Sequence, residues 1–207
     1  MIDLKGIRNI VLDLGGVILE LDVNRSIELL SELGFPGEDN LDIIFSKYPF
    51  FLKFETGRIG PDEFIDAMAV QLGDHTPREK IIEAWNAMII GYRSDTIKLL
   101  TRLKEKYRLF LLSNTNAIHE VYYNDILHRK HGIPNLKDIF ETVYYSHDVN
   151  MRKPDHEIFQ YVLDDSLINA RETLYIDDTE VHVKAAGDLG INIYHLRLPQ
   201  RLTEVLC

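Results

Sequence analysis

Four short runs hold the side chains able to do chemistry: Asp13-Leu14-Gly15-Gly16, Ser113-Asn114-Thr115-Asn116, Arg152-Lys153-Pro154 and Asp177-Asp178. Carboxylates gathered at one place repel one another unless a hard cation lies between them, and Mg²⁺ takes oxygen ligands while keeping several waters. Asp13, Asp177 and Asp178 would supply that site. A carboxylate in it can also attack phosphorus, giving an aspartyl-phosphate that water hydrolyses. The Ser113 hydroxyl, the Asn114 N–H and the Lys153 ammonium would then hold the phosphoryl oxygens. Taken singly, each run also fits a helix cap, a loop or a turn.

The elements that must position these residues are legible around them. Asn9-Ile10-Val11-Leu12 is a β-branched apolar run of the kind a central parallel strand needs, and Asp13 with the diglycine terminates it. From Ser94 onward, strands at 108–113, 142–146, 173–177 and 192–197 alternate with helices at 95–106, 116–130, 155–164 and 180–189. Strand and helix in turn imply right-handed βαβ crossovers and a parallel sheet. The fold class expected is α/β, a doubly wound Rossmann-like sheet whose strand ends share one edge.

Residues 20–90 carry helical patterns instead. Helices are expected over 24–33, 40–47 and 61–72, the last with Pro61 just inside its start and Gly73 at its end. Thr76-Pro77-Arg78-Glu79 reads as a capping box leading into a helix over 77–90. No strand is expected within this block. The domain organisation that follows is a discontinuous core of 1–16 and 93–207, with an inserted helical cap domain over 17–92. Tyr48, Phe50, Phe51 and Phe54, near Lys53, Glu55 and Arg58, would serve as helical core or as aromatic faces for a sugar ring.

Composition bounds the partners. The 207 residues are 45% hydrophobic and 27% charged, enough for a sizeable core, and the net charge of −10 disfavours nucleic acid and anionic membranes. The single cysteine, Cys207, excludes an internal disulfide, and the chain has neither a signal-peptide pattern nor an apolar run near the ~18 residues of a membrane span. The expected setting is cytoplasmic, as a monomer or homodimer acting on a small-molecule phosphate ester. His128 and His131 lack further ligands nearby and read as a solvated helix end.

The order Asp13, Ser113, Lys153, Asp177-Asp178, with a helical insert after the first strand, resembles the haloacid dehalogenase superfamily of phosphatases over essentially the whole chain. More narrowly, Asp13-Leu14-Gly15-x-Val17-Ile18, Ser113-Asn114-Thr115-Asn116 and Met151-Arg152-Lys153-Pro154 are similar to the bacterial α-D-glucose-1-phosphate phosphatases and their relatives. The resemblance implies Asp13 as nucleophile, Lys153 as the second catalytic residue, and Asp13, the Gly15 carbonyl, Asp177 and Asp178 around Mg²⁺. Ser113, Asn114 and Lys153 would bind phosphate. Two departures stand out: the usual second aspartate, the general acid, is Gly15, and His182 stands where relatives often carry asparagine. Asn116 and His182 are accordingly further candidates for substrate contact. A sugar 1-phosphate, with its good leaving group, suits a site lacking the acid. Two other readings stay open: a phosphate-binding regulatory protein with weak turnover, and a carbon–halogen hydrolase, against which the acidic pair argues.

Overall fold

The computed structural model describes residues 2–36, 41–73 and 75–206, with residues 41 and 42 described by their backbone alone. Cys207 lies outside the described residues. In chain order the elements begin with strands β1 (Asn9–Leu12) and β2 (Leu19–Leu21). Five helices follow: α1 (Val23–Glu32), α2 (Leu41–Lys47), α3 (Phe50–Glu55), α4 (Pro61–Leu72) and α5 (Arg78–Asn86). Then come β3 (Ile89–Tyr92), α6 (Ser94–Lys104), β4 (Arg108–Ser113), α7 (Ala117–His131), β5 (Thr142–Tyr145) and α8 (Ser146–Val149). The chain closes with α9 (His156–Asp165), β6 (Thr173–Asp177), α10 (Glu180–Asp188), β7 (Asn192–His195) and α11 (Leu202–Val205).

Five strands form one parallel sheet in the order β5-β4-β1-β6-β7. The chain therefore builds outward from β1 on one side and then crosses to the other, which puts the switch point at the carboxyl end of β1. Period-two alternation explains how a fully apolar strand serves two cores. Ile10 and Leu12 face one, with α6, α7 and α11, while Val11 faces the other, with α9 and α10. Leu111 and Phe110 divide in the same way on β4. This is the doubly wound α/β arrangement expected, with β4 and β6 at the expected residues.

Residues 20–90 depart from expectation at both ends. Leu19–Leu21 pairs antiparallel with Ile89–Tyr92, so a two-stranded ribbon frames the five helices. The helix expected over 77–90 stops at Asn86, and its last residues belong to β3. Nor does the capping box at Thr76 form. Pro77 stands at the N-cap without a side-chain bond, and the Thr76 hydroxyl donates back to the Leu72 carbonyl. Pro61 does open α4, where the Gly60 N–H donates to Glu63 Oε2.

The aromatic run packs as core. Phe51 and Phe54 are buried against Phe64 and Trp85, with ring centroids 4.2 Å apart for Phe54–Phe64 and 5.4 Å for Phe51–Trp85. Truncating either phenylalanine to alanine would cost about 3–5 kcal/mol. His128 and His131 end α7 and belong to neither group of metal-type ligands among the described residues. No helix among the described residues is long and apolar enough to cross a membrane.

Candidate active site

Asp13 sits one residue beyond β1, and its backbone N–H donates to the Ile176 carbonyl at 2.9 Å, so the sheet itself fixes where the carboxylate starts. The chain then turns sharply: Ile18 and Leu19 N–H groups both return to the Leu14 carbonyl, and the Gly16 N–H donates to Leu19 O. Gly16 needs to be glycine on two counts. Its φ is +73°, and a Cβ there would fall 2.1 Å from Asp178 Oδ2. Gly15 is different, because its φ is not in the left-handed region and a Cβ would meet only the end of the Leu21 side chain, at 2.7 Å.

Three of the four motif runs converge on one ammonium. Lys153, 1% exposed, donates to Asp13 Oδ1 at 2.7 Å, Asp177 Oδ2 at 2.7 Å and the Leu112 carbonyl at 3.1 Å. The fourth run holds it there. Asn114 pairs with the Lys153 backbone in both directions, its Nδ2 donating to Lys153 O and its Oδ1 accepting from Lys153 N, each at 2.9 Å. The Asn114 side chain is thus spent on positioning the lysine. Ser113 is buried beside it at the end of β4.

Asp177 is the most heavily bound carboxylate. Tyr175 donates to its Oδ2, the Thr179 N–H to its Oδ1 at 2.7 Å, and His182 Nδ1 lies 3.1 Å from Oδ2. His182 therefore supports Asp177 from α10. Asn116 caps α7, its Oδ1 accepting from His119 N at 3.0 Å and from Trp85 Nε1 at 3.4 Å. Its Nδ2 lies 3.2 Å from His119 Nδ1, and His119 Nε2 reaches the Trp85 carbonyl at 3.1 Å. Since the amide nitrogen can only donate, these contacts select the imidazole tautomer with its proton on Nε2. Burial keeps that ring neutral by lowering it to about 4, against the partial support of the Trp85 carbonyl.

Electrostatically the site is short of positive charge. Burial first, and then the charge of Asp177, push Asp13 up to about 8 despite Lys153. Burial and Asp177 also raise Asp178. Asp177 goes the other way: burial opposes its ionisation, but Lys153 and His182 outweigh it and hold the carboxyl below the ordinary range. Burial would depress Lys153, yet the carboxylates of Asp13 and Asp177 keep it above the ordinary lysine value. Asp13, Asp177 and Asp178 bring one carboxylate oxygen each within 4.8 Å of the others. Three hard oxygen donors around one ammonium are the donor set that Mg²⁺ requires and that a further cation would relieve.

Beside this cluster a cavity of about 180 Å³ opens between the sheet and the helical insert. Gly15, Ser113, Asn114 and Asn116 line one side; Phe45, Glu55, Trp85 and Met88 line the other. Glu55 also binds Arg152 at 2.7 Å, next in chain to Lys153. A larger cavity, about 860 Å³, lies at the opposite edge of the sheet, among Arg8, Lys104, Arg108 and Glu172, away from every motif run. Sequence reasoning missed the contributions of Tyr175, His119 and Trp85. Tyr175 alone left a signal, since residues two apart on a strand share a face.

The family model described as haloacid dehalogenase-like hydrolase matches residues 59–195. D-ribitol-5-phosphate phosphatase of Bacteroides thetaiotaomicron is 29% identical over 192 residues, 91% of each protein. A HAD family enzyme of the same organism, crystallised with magnesium and inorganic phosphate, is 35% identical, with TM-score 0.87 over 96% of this chain and 98% of that one. The solved structure of a predicted HAD-like family hydrolase from Porphyromonas gingivalis is 30% identical, with TM-score 0.82 over 91% of this chain and 90% of that one. The chain belongs to the haloacid dehalogenase-like hydrolases.

Proposed function

We propose that this protein is a magnesium-dependent phosphatase acting on a small phosphorylated polyol or sugar through an aspartyl-phosphate on Asp13. The observation that carries the reading is the Lys153 ammonium shared at 2.7 Å by Asp13 and Asp177, beside the third carboxylate of Asp178. An oxygen of Asp13 forms the bond to phosphorus as the bond to the leaving oxygen breaks with its electron pair. The leaving oxygen takes a proton from water. A second water then attacks phosphorus, releases inorganic phosphate and restores the carboxylate.

Lys153 balances charge between the nucleophile and the incoming phosphoryl oxygens, which Ser113 Oγ and the Asn114 N–H also face in this reading. Asp13, the Gly15 carbonyl, Asp177 and Asp178 would hold Mg²⁺, which when bound supplies the positive charge that brings a carboxylate and a phosphate dianion together. The cavity beside the cluster, walled by Glu55, Thr115 and Asn116 among apolar groups, supports a leaving group bearing hydroxyls. The polyol phosphate named for the 29% identical relative points the same way. Cytoplasmic location and a monomeric or homodimeric state complete the proposal.

A panel of polyol phosphates, sugar 1-phosphates and aryl phosphates, assayed with and without Mg²⁺, tests it. Metal-dependent release of phosphate is expected, fastest for the most acidic leaving groups because Gly15 offers no proton. Gly15→Asp should flatten that dependence, since Leu21 can swing aside. Failure of the folded protein to hydrolyse any of these esters with Mg²⁺ present would overturn the phosphatase reading; phosphate binding without turnover would move the chain to the regulatory class.

A further inference from the structure

A second group of metal-type ligands lies where β5 runs into α8, on residues that the chemistry at Asp13 does not use. Glu120, in the first turn of α7, and His147 and Asp148, in α8, bring one ligand atom each within 4.8 Å of one another. We infer that these three side chains form a second divalent-cation site, for an ion of the zinc type.

The donor set favours that ion. One imidazole and two carboxylates suit Zn²⁺ or Co²⁺, whereas Mg²⁺ takes oxygen ligands. The spacing fits as well. Nε2 of His147 lies 3.1 Å from Glu120 Oε2 and 3.6 Å from Asp148 Oδ1, on either side of the ~3.4 Å edge of a tetrahedron with ligand bonds near 2.1 Å. A simple ion pair accounts for one carboxylate facing the imidazole and leaves the second unexplained. An ion at the centre uses both.

The imidazole is also confined. His147 is 9% exposed at its side chain, and its ring stacks on Tyr145 with centroids 5.5 Å apart at 10°. Its Nδ1 is buried with no hydrogen-bond partner among the described residues, so the hydrogen-bonding that orients the ring acts through Nε2. The other oxygen of Glu120 is 4.0 Å from Lys137 Nζ, which offsets part of the acidic charge without occupying the shared space. Two carboxylates and a divalent ion then leave the group close to neutral.

What the ion would brace is a ledge. The His147 carbonyl lies so close to Gly57 that a Cβ there would approach it to 2.0 Å, and Ser146 Oγ donates to the Glu55 carbonyl at 2.7 Å. The cap segment 55–57 thus rests on α8, a few residues before Lys153. The second ion joins α7 to that ledge and stabilises the docked arrangement; it takes no part in bond breaking.

The test uses the full chain in saturating Mg²⁺, titrated with Co²⁺ and followed by visible absorption and calorimetry. One equivalent of Co²⁺ is expected, and it should persist in Asp178→Asn. Glu120→Gln and His147→Gln should each weaken it by more than the roughly 10–100-fold that loss of an outer-shell partner costs. Zn²⁺ should raise the melting temperature of the wild type and not of Glu120→Gln. The inference falls if no Co²⁺ binds in excess Mg²⁺, if both variants bind like wild type, or if binding vanishes in a folded Asp178→Asn. Should His147→Gln fail to fold by circular dichroism, Glu120→Gln decides alone. None of these readouts requires phosphatase activity, so the outcome is independent of the proposed reaction.

Discussion

Two buried polar clusters flank the carboxyl end of β4, and they solve the problem of burial in opposite ways. The Trp85–Asn116–His119 group is neutral, and each member donates to or accepts from another at 3.0–3.4 Å. The Asp13–Lys153–Asp177–Asp178 group gathers three carboxyls beside one ammonium that binds two of them, and Asp13, the proposed nucleophile, is pushed up to about 8. A satisfied network contributes rigidity, whereas an unbalanced one stores a demand for something from outside. The same distinction separates a joint between two layers from a site for chemistry.

The largest test of that contrast is Asp13→Asn. Hydrolysis should fall on the order of 10⁴-fold or more, since the proposed nucleophile and a proposed metal ligand go together. In metal-free protein near neutral pH the same change should raise the melting temperature. A carboxyl raised to about 8 binds its proton more tightly folded than unfolded, so stability drops as pH rises from about 4 toward 8, and the amide escapes that loss. Lower activity with lower stability would erase the contrast.

Gly16→Ala comes next. A Cβ must displace Asp178 and adopt a φ of +73°, so turnover should drop about 10²-fold, the typical effect of a misplacement near 1 Å. Gly15→Ala, which presses only on the tip of Leu21, should do less. Equal effects in the two would mean that the turn, and not the approach to Asp178, is what matters.

The neutral cluster answers to pH in the other direction. His119 is lowered to about 4 by burial, so the unfolded chain takes up its proton first as pH falls. Stability from this group is complete above about pH 6.5 and should decline by roughly 2–3 kcal/mol between about pH 7.5 and about pH 4.5. Denaturant melts of wild type and His119→Gln at both pH values isolate it, and parallel losses in the two would assign the decline elsewhere. Smallest of all, Trp85→Phe deletes one 3.4 Å hydrogen bond, worth about 0.5–1.5 kcal/mol, and should lower stability by at least that much.

The sheet was readable because its strands are continuous apolar runs between turn residues, as in Arg108–Ser113 and Thr173–Asp177. Leu19–Leu21 was too short to show a period, and Ile89–Tyr92 was hidden behind the end of a helical pattern. Residue types placed Asp13, Lys153, Asp177 and Asp178 together, because strand ends share an edge. Side-chain direction was beyond that logic. Asn114 spends its amide on the Lys153 backbone, Asn116 on capping α7, and His182 on Asp177. The Trp85–His119 contact joins elements with no local pattern linking them.

The ribbon of β2 and β3 changes how the inserted helices weigh on folding. Leu21 faces Ile89 across the ribbon, so the excursion through α1 to α5 leaves and returns at neighbouring points about 5 Å apart. Seen from the sheet, everything between those residues is a hairpin tip. Loop-closure entropy grows only with the logarithm of length, so the core tolerates a tip of almost any size. A different set of helices could be exchanged there without re-registering a single strand of the parallel sheet.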